Sequence, residues 1–223
     1  MLQPVYARAQ ETLMERGWIM DEMAVDIVRK LDYGFVQDAQ NNSRNNAGIV
    51  AGTILLDRMV TEFLQQYPDT VVINPGCGLD TRCIRLEGKY RHWYDLDTEE
   101  RMQIRGRFME ETEKITQIRC DIPDPSWIDR ISPTYTEALV IIQCLNCFAK
   151  EGDLERFLSM LAQRFEKVSI MIETDKENMP KIRISDFENI EYREVAEQMK
   201  AILSDDEIRF LQELGSGIRV LRK

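Results

Sequence analysis

The chain has 223 residues and an acidic composition, with 29 Lys and Arg against 39 Asp and Glu and a net charge of −10. This charge opposes contact with a phosphate backbone, so nucleic acid is not expected as a partner. No apolar run approaches the roughly 20 residues that span a bilayer, and the first residues lack the apolar segment of a secretory signal. We therefore expect a cytoplasmic globular protein that has no membrane partner.

Cysteine and histidine are too few to predict a metal site. The chain has five cysteines and one histidine, His92. The only CxxC pair, Cys144 and Cys147, has no second pair at the spacing of a structural zinc site. An odd number of cysteines in a cytoplasmic protein indicates reduced thiols, here used for packing.

The first 67 residues are predicted to form a helical cap. Apolar residues recur at helical spacing in three segments, residues 6–15, 20–31 and 49–67. Gly17 is the stop signal between the first two helices, and Pro68 ends the third. The polar run at residues 40–46 (QNNSRNN) predicts a loop before that third helix.

From residue 68 onward, short apolar strands alternate with helices. The predicted strands are residues 70–74, 92–96, 115–120, 138–143 and 168–172. The intervening helices include one that starts near Thr98, whose hydroxyl is expected to cap it, and one over residues 154–165. A weaker pattern predicts a helix at 195–202 and a closing strand at 218–221. This alternation predicts an α/β fold, a mostly parallel twisted sheet with helices on both faces, over residues 68–223.

A glycine-rich turn follows the first strand. Gly76 and Gly78 flank Cys77, and this spacing allows a tight turn whose backbone a ligand can approach without meeting a Cβ atom. Ligands of open parallel sheets bind at the carboxyl ends of the strands. On its own, the motif fits a ligand site and a plain turn about equally well.

An acidic residue at the end of the second strand favours a ligand site. Asp97 lies 19 residues after Gly78, the spacing at which an acid accepts hydrogen bonds from both hydroxyls of a ribose. The alternative is that Asp97 only caps the next helix. A dinucleotide motif would need a third glycine where Thr81 stands, so a cofactor with a ribose but no phosphate fits better than a nicotinamide dinucleotide.

Two segments of the chain resemble a known family. Residues 76–82 (GCGLDTR) and 93–97 (WYDLD) are similar to the leucine carboxyl methyltransferase family, and the resemblance covers roughly residues 57–173, with weaker similarity in the N-terminal helices. The resemblance implies a Rossmann-like class I methyltransferase fold, with the N-terminal helices over the cofactor cleft. It also implies S-adenosylmethionine as cofactor and O-methylation of a small-molecule carboxylate or hydroxyl.

The resemblance also implies which residues contact the cofactor. They are Gly76, Cys77, Gly78, Leu96, Asp97, Asp121, Ile122, Gln143 and Cys144. By position in the family, the glycines face the methionine part, Asp97 holds the ribose diol, and Asp121 with Ile122 contacts the adenine. No catalytic acid or base follows from the sequence.

Three positions depart from the family pattern. Gly52 stands where the family has an arginine that pairs the cofactor carboxylate, Gln143 replaces an acid, and Phe148 replaces a tyrosine. Arg44 and Arg82 are the candidate replacements for the missing cation, and the amide oxygen of Gln143 is able to accept from an ammonium. Two alternatives therefore stay open, a cofactor-binding protein without activity and a nicotinamide-dependent oxidoreductase.

Overall fold

The computed structural model describes residues 2–31, 43–143, 145–148, 150–175, 186–201 and 204–223. Its helices are α1 (Leu2–Thr12), α2 (Glu22–Lys30), α3 (Ser43–Gln66), α4 (Arg82–Arg85), α5 (Glu99–Arg105), α6 (Asp153–Arg164), α7 (Val195–Met199) and α8 (Asp205–Leu214). Its strands are β1 (Val71–Pro75), β2 (Trp93–Asp97), β3 (Ile115–Arg119), β4 (Glu137–Ile142), β5 (Lys167–Asp175), β6 (Glu188–Glu194) and β7 (Ser216–Arg222). Short 3₁₀ helices span Pro125–Arg130 and Leu145–Cys147.

The strands form one mixed sheet in the order β3-β2-β1-β4-β5-β7-β6. Neighbouring strands from β3 to β5 pair in parallel, whereas β7 pairs antiparallel with both β5 and β6. The α/β fold predicted from the alternation of strands and helices is therefore confirmed. The order reverses between β1 and β4, because the chain adds β2 and β3 on one side of β1 and returns to its other side with β4.

Helices cover both faces of this sheet. Alternate residues of a strand point to opposite faces, so Val72 packs on one side with α3, and Val71 and Ile73 pack on the other with α6. Parallel strands that are buried on both faces consist of continuous apolar residues. The fully buried strand β1 begins with such an apolar run, and this run is the feature from which the strand was predicted.

The N-terminal helices pack over the turn that follows β1. Val5 and Ala9 of α1 and Ile27 of α2 form one apolar cluster with Leu79 of that turn and with Met109. Asp21 caps α2 by accepting from the backbone N–H of Ala24 at 3.0 Å. The apolar cluster holds the helices against the carboxyl ends of the strands.

Helix α3 begins earlier than the sequence predicts. Residues 43–46 of the predicted polar loop belong to it, and residues 40–42 lie outside the described part of the chain. Serine and asparagine are weak helix formers, but propensity is a prior that tertiary context overrides. Although α3 has 24 residues, neither it nor any other described helix has the length and apolar character needed to cross a membrane.

Three other local predictions differ from the structure. Helix α1 ends at Thr12, before the predicted end near Glu15. Thr98 makes no side-chain cap bond; its backbone N–H instead donates to Asp97 at 2.8 Å. Strand β6 and helix α8 were not predicted. The first residues of β6 are exposed at the sheet edge and lack the apolar alternation of a half-buried strand.

Candidate cofactor site

A cavity of about 410 Å³ opens where the strand order reverses, at the carboxyl ends of β1 and β4. This is the place where open parallel sheets bind their ligands. Its lining comes from α1, α3, α5, β1 and the turn after it, the ends of β4 and β5, and the 3₁₀ helix after β4: Pro4, Val5, Arg8, Ile49, Thr53, Asn74, Gly76, Cys77, Gly78, Leu79, Asp80, Arg101, Gln143, Asn146 and Glu173.

The turn after β1 requires its glycines. Gly76 has φ 67° and Gly78 has φ 49°, in the left-handed region that side chains disfavour. The backbone N–H of Gly76 donates to the carbonyl of Leu96 at 2.8 Å, which ties the turn to the end of β2. Because both glycines lack Cβ atoms, the cavity directly contacts backbone at this turn.

Asp97 closes the turn from the end of β2. Its Oδ2 accepts from the backbone N–H of Gly78 at 2.8 Å, and its Oδ1 accepts from Thr98 at 2.8 Å. Arg101 lies 3.6 Å away, and the Asp97 side chain is only 1% exposed. Asp97 thus accepts from the backbone N–H of Thr98, the residue before α5, and also fixes the turn.

A buried ion pair between Arg105 and Asp95 contacts the backbone of the turn after β1. Arg105 donates to the carbonyls of Gly78 at 3.1 Å and Asp80 at 2.7 Å, and to the Asp95 carboxylate at 2.5 Å. Asp95 also accepts from Asn74 at 3.0 Å. Burial raises the pKa of Asp95, and the Arg105 guanidinium opposes that rise. This pair fixes both ends of the turn, and sequence reasoning did not find it.

A second group of buried charges joins the N-terminal helices to the turn. We call it the arginine–aspartate cluster; its members are Arg8, Asp21, Asp57, Asp80, Arg82 and Arg85. Asp21 of the α1–α2 connection accepts from Arg8 at 2.8 Å and Arg85 at 2.9 Å. Asp57 of α3 accepts from Arg85 at 2.8 Å and Arg82 at 2.5 Å.

The arginines of the cluster lower the pKa of two of its carboxylates, Asp57 and Asp80. Burial alone would raise the pKa of Asp57, but the Arg82 and Arg85 guanidiniums outweigh it and lower the pKa. Burial would also raise the pKa of Asp80, but Arg82 and Arg85, together with Arg8 and Arg105, lower it well below its ordinary value. The positive and negative charges are equal in number, which is the condition under which buried charges are tolerated.

The structure brings some of the predicted cofactor contacts together and leaves others apart. Four of them line the cavity: Gly76, Cys77, Gly78 and Gln143. Four others do not line it: Leu96, Asp97, Asp121 and Ile122. The side chains of Leu96 and Ile122 are buried in the core and that of Asp121 is exposed, while Asp97 reaches the cavity wall only through Gly78. Cys144 lies outside the described residues.

The candidate replacements for the missing family arginine have different outcomes. Arg82 belongs to the arginine–aspartate cluster, and its Nη1 donates to Asp80 and to Gln143 Oε1, each at 2.7 Å. The side chain of Arg44 lies outside the described atoms.

Arg8 and Glu173 line the cavity but were not among the predicted contacts. Glu173 follows the pattern of an acid near a strand end, which was the available sequence signal.

Cysteine chemistry does not define this site. Burial raises the pKa of the Cys77 thiol well above its ordinary value, so the thiol is protonated at neutral pH. Among the described residues, no group of three or more His, Cys, Asp or Glu side chains is placed to hold a metal ion. His92 lies at the start of β2, where its Nε2 is 2.8 Å from Thr116 Oγ1.

Comparison with known proteins agrees with this geometry. The family model of the leucine carboxyl methyltransferases matches residues 1–160. The chain belongs to this family. It is 25% identical over 174 residues to the tetracenomycin polyketide synthesis O-methyltransferase TcmP of Streptomyces glaucescens, covering 78% of this chain and 64% of that protein. It is 23% identical over 181 residues to the S-adenosyl-L-methionine-dependent methyltransferase dpfgK of Gibberella zeae, covering 74% and 60%.

The fold is that of the class I methyltransferases. The structure matches magnesium protoporphyrin IX methyltransferase from Synechocystis with a TM-score of 0.50 and 12% identity, covering 93% of this chain and 98% of that one. At this identity the likeness concerns the fold alone. The chain spans less than two thirds of the length of the two curated relatives.

Proposed function

We propose that this protein binds S-adenosylmethionine and transfers its methyl group to an oxygen of a small-molecule acceptor. One arrangement carries the proposal: the Gly76–Gly78 turn opens onto the cavity at the switch point of the sheet, and Asp97 holds that turn. The family to which the chain belongs and its curated relatives support the reaction type.

The cavity fits this cofactor in size and chemistry. Its volume of about 410 Å³ falls in the range of roughly 300–1,000 Å³ of small-molecule sites. The left-handed glycines expose backbone where a side chain would otherwise stand. Asp97 does not line the cavity but holds the Gly78 N–H at its wall, and we propose that it supports the ribose site by fixing the turn.

We propose Arg8 as the cation that pairs the cofactor carboxylate. Its side chain is 3% exposed, and its Nε and Nη2 donate to Asp21 at 2.8 Å and to the carbonyl of Leu79 at 3.4 Å. Nη2 also lies 3.4 Å from Thr81 Oγ1, but Nη1 makes no hydrogen bond to any described residue. Burial, together with Arg85, lowers the pKa of Arg8, so an anion in the cavity would stabilise its charged form.

The protein's contribution to the reaction is positioning. When bound, S-adenosylmethionine supplies an electrophilic methyl group on a positively charged sulfur. The rigid turn and the buried ion pairs beneath it hold the binding groups in place before the ligand arrives, which lowers the entropy cost of alignment. A carboxylate acceptor needs no general base, and we assign none among the described residues.

A nicotinamide-dependent oxidoreductase is not favoured. Thr81 occupies the position of the third glycine of a dinucleotide motif, and its Oγ1 donates to Asp21 at 2.5 Å. The side chain is thus fixed inside the arginine–aspartate cluster. The third glycine of that motif permits the helix to pack closely against the strand, and in this chain the threonine and its partners occupy that place.

Calorimetric titration tests the proposal. We expect saturable binding of S-adenosylmethionine and S-adenosylhomocysteine, and none of NADH, followed by transfer of a labelled methyl group to members of a panel of carboxylates and phenols. Arg8→Met should weaken S-adenosylhomocysteine about tenfold or more and leave 5′-methylthioadenosine, which lacks the carboxylate, unchanged. Asp21 retains Arg85 and Thr81 in this variant, which protects the fold. No binding of either adenosyl ligand at millimolar concentration would refute the proposal.

A further inference from the structure

The carboxylate of Glu173 fills the space beside Gly52. Glu173 lies near the carboxyl end of β5, and its Oε1 is 2.6 Å from the position that a Cβ atom would take at Gly52 of α3. The family has an arginine at this position of α3, as the resemblance above indicates. In this chain a negative group therefore lies in the region where the family places a cation.

Gln143 fixes one oxygen of this carboxylate and leaves the other open. The Nε2 of Gln143 donates to Glu173 Oε2 at 2.7 Å. The Oε1 of Gln143 accepts from Arg82 at 2.7 Å, so the amide orientation is set from both sides. Glu173 Oε1 has no hydrogen-bond partner in the part of the chain that the structure describes, and Glu173 lines the cavity.

The surroundings of Glu173 favour a cationic ligand. Burial raises the pKa of its carboxyl; the Gln143 hydrogen bond, Arg82 and Arg8 lower that pKa, and Asp80 raises it. No described Arg, Lys or His lies within ion-pair distance of Glu173. A partly buried carboxylate without a cation is disfavoured, so a positive ligand group beside Oε1 would be stabilised.

We propose that Glu173 receives the α-ammonium group of the cofactor and thereby replaces the acid that the family carries at the position of Gln143. This deepens the proposed function and rests on it. Arg8 and Glu173 line the same cavity with opposite charges, which matches the carboxylate and ammonium of one amino acid. Gln143 is then a positioning residue. Its amide is oriented by the hydrogen bond from Arg82, it orients the Glu173 carboxylate by donating to it, and it does not itself bind the ammonium.

A set of ligands and one isosteric variant test this inference. S-adenosylhomocysteine carries both charged groups, its analogue with hydrogen in place of the α-amino group carries only the carboxylate, and 5′-methylthioadenosine carries neither. We expect Glu173→Gln to weaken S-adenosylhomocysteine about tenfold or more and to leave the other two within about twofold. Glu166→Gln, at an exposed acid just before the same strand, is the control and should change none of the affinities.

A pH series supplies a second readout. The ionised carboxylate binds the ammonium, so wild-type affinity for S-adenosylhomocysteine should rise as pH rises through the elevated pKa of Glu173. That rise should be absent from Glu173→Gln and from the amino-free analogue. Equal weakening of all three ligands, or no weakening, would overturn the inference while the proposed function stands. Failure of the wild type to bind S-adenosylhomocysteine would overturn both.

Discussion

Asp97 accepts a hydrogen bond from the backbone N–H of Gly78 at 2.8 Å across 19 positions of sequence. The bond joins the two features that first indicated a ligand site, the glycine turn and the acid of the second strand. It places the acid where it controls the shape of the turn that lines the cavity. The fold and the candidate site are therefore coupled through one side chain.

We predict that Asp97→Asn weakens all adenosyl ligands alike. An amide keeps one acceptor oxygen, but its NH₂ group would face either the Gly78 or the Thr98 N–H, and one buried donor would lose its partner. Hydrogen bonds to charged groups contribute about 1.5–3 kcal/mol each. Titration should show at least about tenfold weaker binding of both S-adenosylhomocysteine and 5′-methylthioadenosine.

The control for this variant lies two residues along the chain. Glu99 is 58% exposed and its ion pair to Arg119 at 3.8 Å is also exposed, so Glu99→Gln should leave both affinities unchanged. If Asp97→Asn bound 5′-methylthioadenosine as tightly as the wild type does, this acid would not support the ribose site.

Local patterns were enough to predict the framework of this site. Continuous apolar runs located the parallel strands, the rule that ligands lie at strand carboxyl ends indicated the glycine turn, and the family resemblance added Gln143, which lines the same cavity as Gly78. The partners of the buried charges could not be predicted in the same way. Arg8 meets Asp21, and Glu173 meets Gln143, only after helices and strands have packed. Such pairings depend on side-chain directions in the tertiary structure, which sequence spacing does not contain.

We predict that Asp57→Asn destabilises the fold by about 3–5 kcal/mol at neutral pH, because two buried arginines lose their shared carboxylate. The pKa of Asp57 is lower in the folded chain than in the unfolded one. Its stabilisation is thus present above the unfolded value, roughly 3.9, and is lost as pH falls through the lower folded value. Urea unfolding from pH 7 to pH 3 measures both effects.

The difference between wild type and Asp57→Asn should be constant from about pH 5 to pH 8 and shrink below about pH 4. Asp206→Asn provides the comparison, since that side chain is 94% exposed and should change the free energy of unfolding by less than about 0.5 kcal/mol. A difference that persists unchanged to pH 3 would mean that the effect of Asp57→Asn is steric.

We predict that Gly52→Ala separates stability from ligand binding. A Cβ atom at this position would lie 2.6 Å from Glu173 Oε1, the free end of a flexible side chain, so the carboxylate moves and the backbone does not. Within α3 the alanine should keep or raise stability, by up to about 1 kcal/mol. Displacing Oε1 from the cavity wall should weaken the binding of S-adenosylhomocysteine several-fold and leave the binding of its amino-free analogue unchanged.

A double variant checks whether this effect passes through Glu173. If it does, Gly52→Ala combined with Glu173→Gln should bind S-adenosylhomocysteine no more weakly than Glu173→Gln alone. Additive losses would instead indicate that the alanine obstructs the cavity directly.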